Sequence, residues 1–241
     1  MKTPPMKSLI KDSLCSRTFG SMLFAIFSLL FALLVNSQAR AASFPRLEPD
    51  PRALEFYQKG VNGYSWTDLA EISLWASDSS MSSDSKAAHL RQIHAMAEAI
   101  RLSPGLPADN RGKAEFILDY MHRNLLRSYS FTQTRVDIML TNGRFNCVSS
   151  AALYTILCKS LGLQTSGVMT IDHAFVIVHI DSEDIDVETT NRNGFDPGRR
   201  REFHDEFGRL TGFAYVPPGS YRDRQTISTI ELISLDRKSV V

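Results

Sequence analysis

From Cys147 to Gly162 the chain reads CVSSAALYTILCKSLG, in which Ala151, Leu153, Tyr154, Ile156, Leu157 and Leu161 put apolar side chains nearly all round a helix. A helix with one apolar stripe needs cover on one face, whereas a helix apolar all round must be met on every side. This segment is therefore central, with Gly162 as its C-cap, and the rest of the chain has to supply the cover. Upstream, Ser65-Trp66-Thr67-Asp68 has the form of a capping box, and Leu69, Ile72 and Trp75 follow at helical spacing. A second helix is predicted from about Ser85 to Leu102 on Leu90, Ile93, Ala97 and Ile100. A third is predicted from about Pro107 to Leu126 on Phe116, Ile117, Tyr120 and Leu125. Between that helix and Cys147, SYSFTQTRVDIMLTNGRF has β-branched and aromatic content and ends in the turn signal Asn142-Gly143. Downstream come three strand-like segments, QTSGVMTI, HAFVIVHI and DIDVET, the last two joined by a tight acidic turn at Ser182-Glu183. QTISTIELISL closes the chain as a helix or a strand. Helices, a central helix and then an antiparallel meander make an α+β domain.

The first 41 residues stand apart. Lys2, Lys7, Lys11 and Arg17 precede the uncharged run SMLFAIFSLLFALLV, and Ala39-Arg40-Ala41 has the small-x-small form of a cleavage site. This is the pattern of a secretory signal peptide, and the run falls short of the roughly 20 apolar residues a membrane-spanning helix needs. Cys15 lies before the run, so no lipid anchor is suggested. A secreted or periplasmic protein, with no membrane contact after cleavage, is the expectation. Residues 42–63 read as a linker or arm, and residues 64–241 as a single domain. Cleavage removes five basic side chains and one acid, so 22 basic and 25 acidic residues remain and the net charge moves from +1 to −3. With no Lys/Arg stripe, nothing favours a nucleic-acid partner. Cys147 and Cys158 alone are too few for a disulfide-built scaffold.

The two cysteines cannot share a role. Eleven residues apart on one helix they are separated by about 16 Å, far beyond the roughly 7 Å that a disulfide spans. Cys158, among apolar neighbours, reads as a small buried hydrophobe. Cys147 heads the helix, and unpaired N–H groups at a helix start favour a thiolate, the reactive form. His173 opens the strand HAFVIVHI, and acids lie on the next strand. A cysteine, a histidine and an acid are the parts of a nucleophilic triad, although a structural histidine has the same sequence signature. A two-residue turn at Ser182-Glu183 would set His179 opposite Asp186 and Ile177 opposite Glu188. His173, His179, Asp186 and Glu188 would then share one face. Glu188 lies nearer the His173 end, which makes it the first candidate acid; Asp186 is the alternative, or a partner for His179. His173 and His179 are about 20 Å apart along a strand and cannot share an ion, so a Cys147-His173-acid zinc site is the competing metal reading. His89, His94, His122 and His204 read as surface or capping residues. No cofactor is implied.

NGRFNCVSSAALY, HAF and VETTN together resemble the transglutaminase-like superfamily of papain-type cysteine enzymes, over roughly Tyr129 to Asp196. The resemblance implies a cysteine helix packed on an antiparallel sheet, with Cys147 as nucleophile, His173 as acid/base and Glu188 as the orienting carboxylate. The substrate it implies is a peptide or protein amide, the cell envelope being one source, that undergoes hydrolysis or transfer to an amine. Glu188 stands where the family usually has aspartate, and Thr189 where it often has proline, which keeps Asp186 in view. The Cys147 N–H would be one oxyanion donor; Gln133 and Tyr129 are candidates for a second. Two alternatives remain. One is a cell-wall peptide hydrolase of another papain-type branch, whose usual Asp-Cys-Ser-Gly is here Asn146-Cys147-Val148-Ser149. The other is a non-catalytic peptide- or protein-binding module of the envelope on the same fold. Asn191 to Phe213 would border the cleft or form a solvated loop.

Overall fold

The computed structural model describes residues 50–60, 63–199 and 223–238. The expected signal peptide, residues 42–49, 61 and 62 of the expected arm, and residues 200–222 and 239–241 lie outside the described residues, and with them residues 200–213 of the candidate cleft-bordering loop, His204 included. Among the described residues the chain is a mixture of seven α-helices and a four-stranded antiparallel sheet, an α+β arrangement. No described helix is long and apolar enough to cross a membrane.

Helix α1 is Pro51–Gly60, which corrects the expectation of an arm over residues 42–63. Proline is accepted in a first helical turn, where its missing N–H has no partner to lose. Phe56 is buried, with its ring edge-on to Trp75 at 5.7 Å, and the Tyr64 hydroxyl donates to the Phe56 carbonyl at 3.0 Å. Helix α2, Trp66–Ser77, starts at the expected capping box: the Asp68 N–H donates to Ser65 Oγ at 3.1 Å, and the Ser65 N–H to Asp68 Oδ2 at 2.9 Å. Helices α3, Ser83–Arg101, and α4, Asn110–Asn124, follow close to the predicted spans. The β-branched segment before Cys147 contributes only β1, Ser128–Tyr129, and β2, Arg144–Phe145, a parallel two-residue pair. Between them α5, Val136–Asn142, is a short helix that Gly143 ends in the left-handed conformation (φ 76°). A Cβ at Gly143 would also stand 2.5 Å from the Leu125 carbonyl oxygen, so glycine is required on both counts.

Helix α6, Cys147–Ser160, is buried at every position from Cys147 to Cys158. Helices α2, α3, α4, α5 and the C-terminal helix α7, Thr229–Lys238, pack around it, as do strands β3 (Gln164–Met169) and β4 (Ala174–Ile180). Its one large polar group at the centre, the fully buried Tyr154 hydroxyl, donates to the Ala114 carbonyl at 3.0 Å and so ties α6 to α4. With β5 (Glu183–Val187) and β6 (Gln225–Ile227), strands β3 and β4 form the sheet in the order β5-β4-β3-β6. One face of the sheet meets the core through Val176 and Val178 of β4, and the other carries a small cluster of Val168 from β3 with Phe175 and Ile177 from β4.

The β4–β5 register differs from expectation. His179 pairs with Asp184 and Ile177 with Asp186, because the turn is Asp181-Ser182 rather than Ser182-Glu183. Asp181 takes the left-handed conformation (φ 52°), which aspartate tolerates better than most side chains. The closing segment supplies both a strand, β6, and the helix α7, which packs against α2, α6 and β3.

Helix α7 carries a buried carboxylate. Asp236 is 3% exposed; the Ser77 hydroxyl donates to its Oδ2 at 2.7 Å. Burial pushes its carboxyl pKa up, against the hydrogen bonds of Ser77 and Thr134, and Asp137 nearby adds repulsion. A raised folded-state pKa means that stability is present below the unfolded value and lost as pH rises through the folded one. Asp236→Asn, which keeps an acceptor for Ser77, should therefore melt no lower than wild type at pH 7. Any advantage should vanish by about pH 4, near the unperturbed carboxyl value; differential scanning calorimetry across that range checks it.

Candidate active site

Asn146 builds the head of α6. Its Oδ1 accepts from the N–H groups of Val148 (3.0 Å) and Ser149 (3.1 Å), while Ser149 Oγ accepts from the Asn146 N–H at 3.0 Å, a reciprocal capping box. Asn146 Nδ2 donates to the Phe131 carbonyl at 3.1 Å, fixing the preceding loop to the same cap. The cap thus satisfies the second and third N–H groups of the helix. The first, that of Cys147, donates to no acceptor among the described residues. This leaves the positive end of α6 directed past the Cys147 side chain.

His173 sits at the end of a tight turn between β3 and β4. The Thr170 N–H donates to the His173 carbonyl at 2.9 Å, and the His173 N–H to Thr170 Oγ1 at 3.1 Å, so the turn is closed in both directions. The imidazole is buried and lies between two partners. Its Nε2 bonds Glu188 Oε2. The Cys147 side chain is the ring's other polar neighbour. Burial alone would lower the His173 pKa. The Glu188 carboxylate and the Cys147 side chain outweigh it and hold the imidazolium well above its ordinary range.

Glu188 is held in turn. Its second oxygen, Oε1, accepts from the Thr190 N–H (3.1 Å) and hydroxyl (2.7 Å). Its backbone N–H donates to the Gly194 carbonyl at 2.8 Å, and a Cβ at Gly194 would stand only 1.9 Å from the Glu188 carbonyl oxygen, so no side chain fits there. The neighbouring Thr189 is pinned from two helices: Ser150 Oγ of α6 lies 2.7 Å from its hydroxyl, and the His122 Nε2–H of α4 donates to its carbonyl at 3.0 Å. Burial lowers the His122 pKa, as expected of a neutral donor, and its ring lies edge-on to Phe145 at 6.1 Å. The expectation that His122 is a surface or capping residue is thus corrected. His122 stands four residues after buried Leu118, on the same side of α4, but nothing in the sequence marks the Thr189 carbonyl as its partner.

The structure therefore brings together Cys147, His173 and Glu188 and takes Asp186 elsewhere. Asp186 makes a two-pronged contact with Arg224, at 2.7 and 3.0 Å, and the guanidinium also covers the Phe175 ring at 5.2 Å. His179 bonds Asp184 through Nδ1 (2.7 Å) and Ser166 Oγ through Nε2 (2.8 Å). That chain has the connectivity of a serine triad, but the Asp184 side chain is 69% exposed, so water competes for it and the set reads as a cross-strand ladder. Of the candidate oxyanion donors, Gln133 spends its Nε2 on the Arg135 carbonyl at 2.7 Å. Tyr129 stays half-buried and edge-on to Phe145. Burial first, and then the charges of Cys147 and Glu188, raise its phenol pKa, so it remains a protonated donor beside the site. Cys158 is fully buried and unpaired with Cys147, and burial pushes its thiol up to about 12. Among the described residues no cluster of three or more histidines, cysteines and acids is arranged to hold a metal. Cys147 and His173 open onto a cleft of about 410 Å³ that Phe131, Thr134, Asn146 and Leu235 also line.

No family model matches the chain, and no curated protein matches it. It is similar to the crystal structure of menin, described as revealing the binding site for the Mixed Lineage Leukemia (MLL) protein. The identity is 16% and the TM-score 0.48, over 74% of this chain and 43% of that one. The chain thus spans less than half of the menin chain, and at that score the likeness carries neither a fold nor a partner over to it.

The His122 contact yields a direct test. His122→Phe keeps a ring against Phe145 but leaves the Thr189 carbonyl buried without its donor, an omission that costs about 1–3 kcal/mol. Urea denaturation should show that loss as a lower midpoint with an unchanged slope.

Proposed function

We propose that this chain is an exported, transglutaminase-like cysteine enzyme that performs acyl transfer or hydrolysis on peptide or isopeptide amides. The observation that carries the reading is the placement of His173 between the Cys147 side chain and the Glu188 carboxylate, at the head of a buried helix whose first N–H meets no acceptor among the described residues.

Each group has a task that its surroundings suit. Cys147 Sγ, as thiolate, adds to the amide carbon; the carbonyl electrons move to oxygen, and the Cys147 N–H meets the developing oxyanion. Protonated His173 gives its proton to the departing nitrogen as the C–N bond breaks, leaving an amine and a thioester on Cys147. Neutral His173 then takes a proton from the acceptor, water or an amine, as it attacks the thioester. The products are a carboxylic acid or a new amide, and the thiolate–imidazolium pair returns. Glu188 keeps the imidazole in one tautomer and balances its cation through both stages. Its Thr190 hydrogen bonds hold Oε1, so that Oε2 stays directed at His173. Asp186, neutralised by Arg224, takes no part.

Cys147→Ala should abolish amide turnover, while Cys158→Ala should leave it within about 3-fold. Glu188→Gln should lower kcat by about 10²–10⁴-fold, the range for loss of acid/base positioning, and Asp186→Asn by less than about 3-fold. Release of amine from peptide and isopeptide amides measures all four; unchanged turnover in the Cys147 variant refutes the reading.

A further inference from the structure

Two large, exposed apolar side chains line the cleft. Ile171 is 87% exposed and Phe131 58%. Both occupy the tips of turns that backbone hydrogen bonds close. Ile171 and Asp172 are the two residues between Thr170 and His173, and Phe131 and Thr132 are the two within the turn in which the Gln133 N–H donates to the Ser130 carbonyl at 2.8 Å. Turn tips favour glycine, asparagine, aspartate and serine, and a β-branched isoleucine has neither the conformational freedom nor the hydrogen-bonding side chain that such positions reward. Hydration of an exposed isoleucine side chain is also unfavourable. Neither turn is loose: Thr170 anchors one, and the Asn146 cap holds the Phe131 carbonyl of the other.

The inner wall of the same cleft continues this character with Val148, Met169 and Leu235. Apart from the Cys147–His173 pair, the only charged side chain among its described lining residues is the exposed Asp172 carboxylate, next to Ile171 in the chain. An occupant that suits this wall is apolar where it meets Met169 and Leu235 and is not anionic where it passes Asp172.

We propose that the cleft selects its amide by an aromatic or large aliphatic side chain on the residue that carries the reacting carbonyl, gripped between Ile171 and Phe131, and rejects a carboxylate at the same place. This rests on the reading of Cys147 as the reacting thiol and names the substrate class it serves. The side chain enters beside Cys147, displaces water from Met169 and Leu235, and holds the carbonyl against the Cys147 N–H.

The test uses N-substituted iodoacetamides on the folded protein, with mass-spectrometric assignment to Cys147. Each rate is divided by the rate of the same reagent with free glutathione. N-benzyl iodoacetamide should label Cys147 at least about 10-fold faster than iodoacetamide itself, and N-(carboxymethyl) iodoacetamide more slowly than either. In Ile171→Ser and in Phe131→Ser the benzyl-to-parent ratio should fall at least about 3-fold. In Leu102→Ser, which removes an apolar side chain of comparable exposure outside this cleft, the ratio should stay as in wild type. A ratio near one in wild type, or one that Ile171→Ser and Phe131→Ser leave intact, overturns the proposal while Cys147 stays reactive. If Cys147 resists every reagent, the enzyme reading fails instead, and the cleft is judged by N-benzylacetamide, the unreactive analogue. Amide shifts in the NMR spectrum centred on Phe131, Met169 and Ile171 sustain the selectivity, and unmoved shifts overturn it.

Discussion

Burial of one helix on every side governs the rest of this molecule. Every residue from Cys147 to Cys158 is buried, so the chain needs helices before it and a sheet after it to close the surround. A buried helix cannot leave its first N–H groups to solvent, and Asn146 meets that demand with a single amide: Oδ1 serves two N–H groups of α6 while Nδ2 binds the loop at Phe131. The cap leaves the Cys147 N–H for something else. The open N–H beside Cys147 is thus a by-product of how the helix's packing is completed, and the same cap holds the Phe131 loop that lines the cleft.

The other half of the site comes from the sheet, and its precision comes from backbone closures. Thr170 locks the turn that presents His173, and the Glu188–Gly194 hydrogen bond folds the chain back at the end of β5. His122 and Ser150 then hold Thr189 from two different helices. Histidine and glutamate, both buried, tolerate that burial only because each neutralises the other and Thr190 satisfies the remaining oxygen. Removing one partner leaves a buried charge alone, which is why the pair and its supports behave as a unit.

Residues whose role follows from periodicity or from helix position are legible in the amino-acid sequence. The central helix, its start at Cys147 and the inert burial of Cys158 all follow from the apolar run, and Glu188's position toward the His173 end of the hairpin follows from counting along strands. The β4–β5 turn falls one residue earlier than the pattern of polar residues suggests, since Ser182-Glu183 and Asp181-Ser182 are equally polar and only the left-handed backbone of Asp181 separates them. That shift moves His179 from Asp186 to Asp184 without changing which face either occupies. Helix α1 is masked because three prolines between Ala42 and Gly63 hide ten helical residues, and Phe56 alone marks their buried side. The contacts of His122 and Arg224 escape sequence patterns for a different reason. Their partners, the Thr189 carbonyl and Asp186, lie 67 and 38 residues away in the chain, and no spacing rule connects them.

The central claim is a thiolate–imidazolium pair between Cys147 and His173, and alkylation by iodoacetamide as a function of pH tests it most directly. Rapid labelling of Cys147 near pH ~6, a marked slowing in His173→Ala, and silence at Cys158 throughout are the expected results. Labelling that begins only near pH ~8.5, where an unperturbed thiol ionises, and that His173→Ala leaves unaltered would contradict the claim.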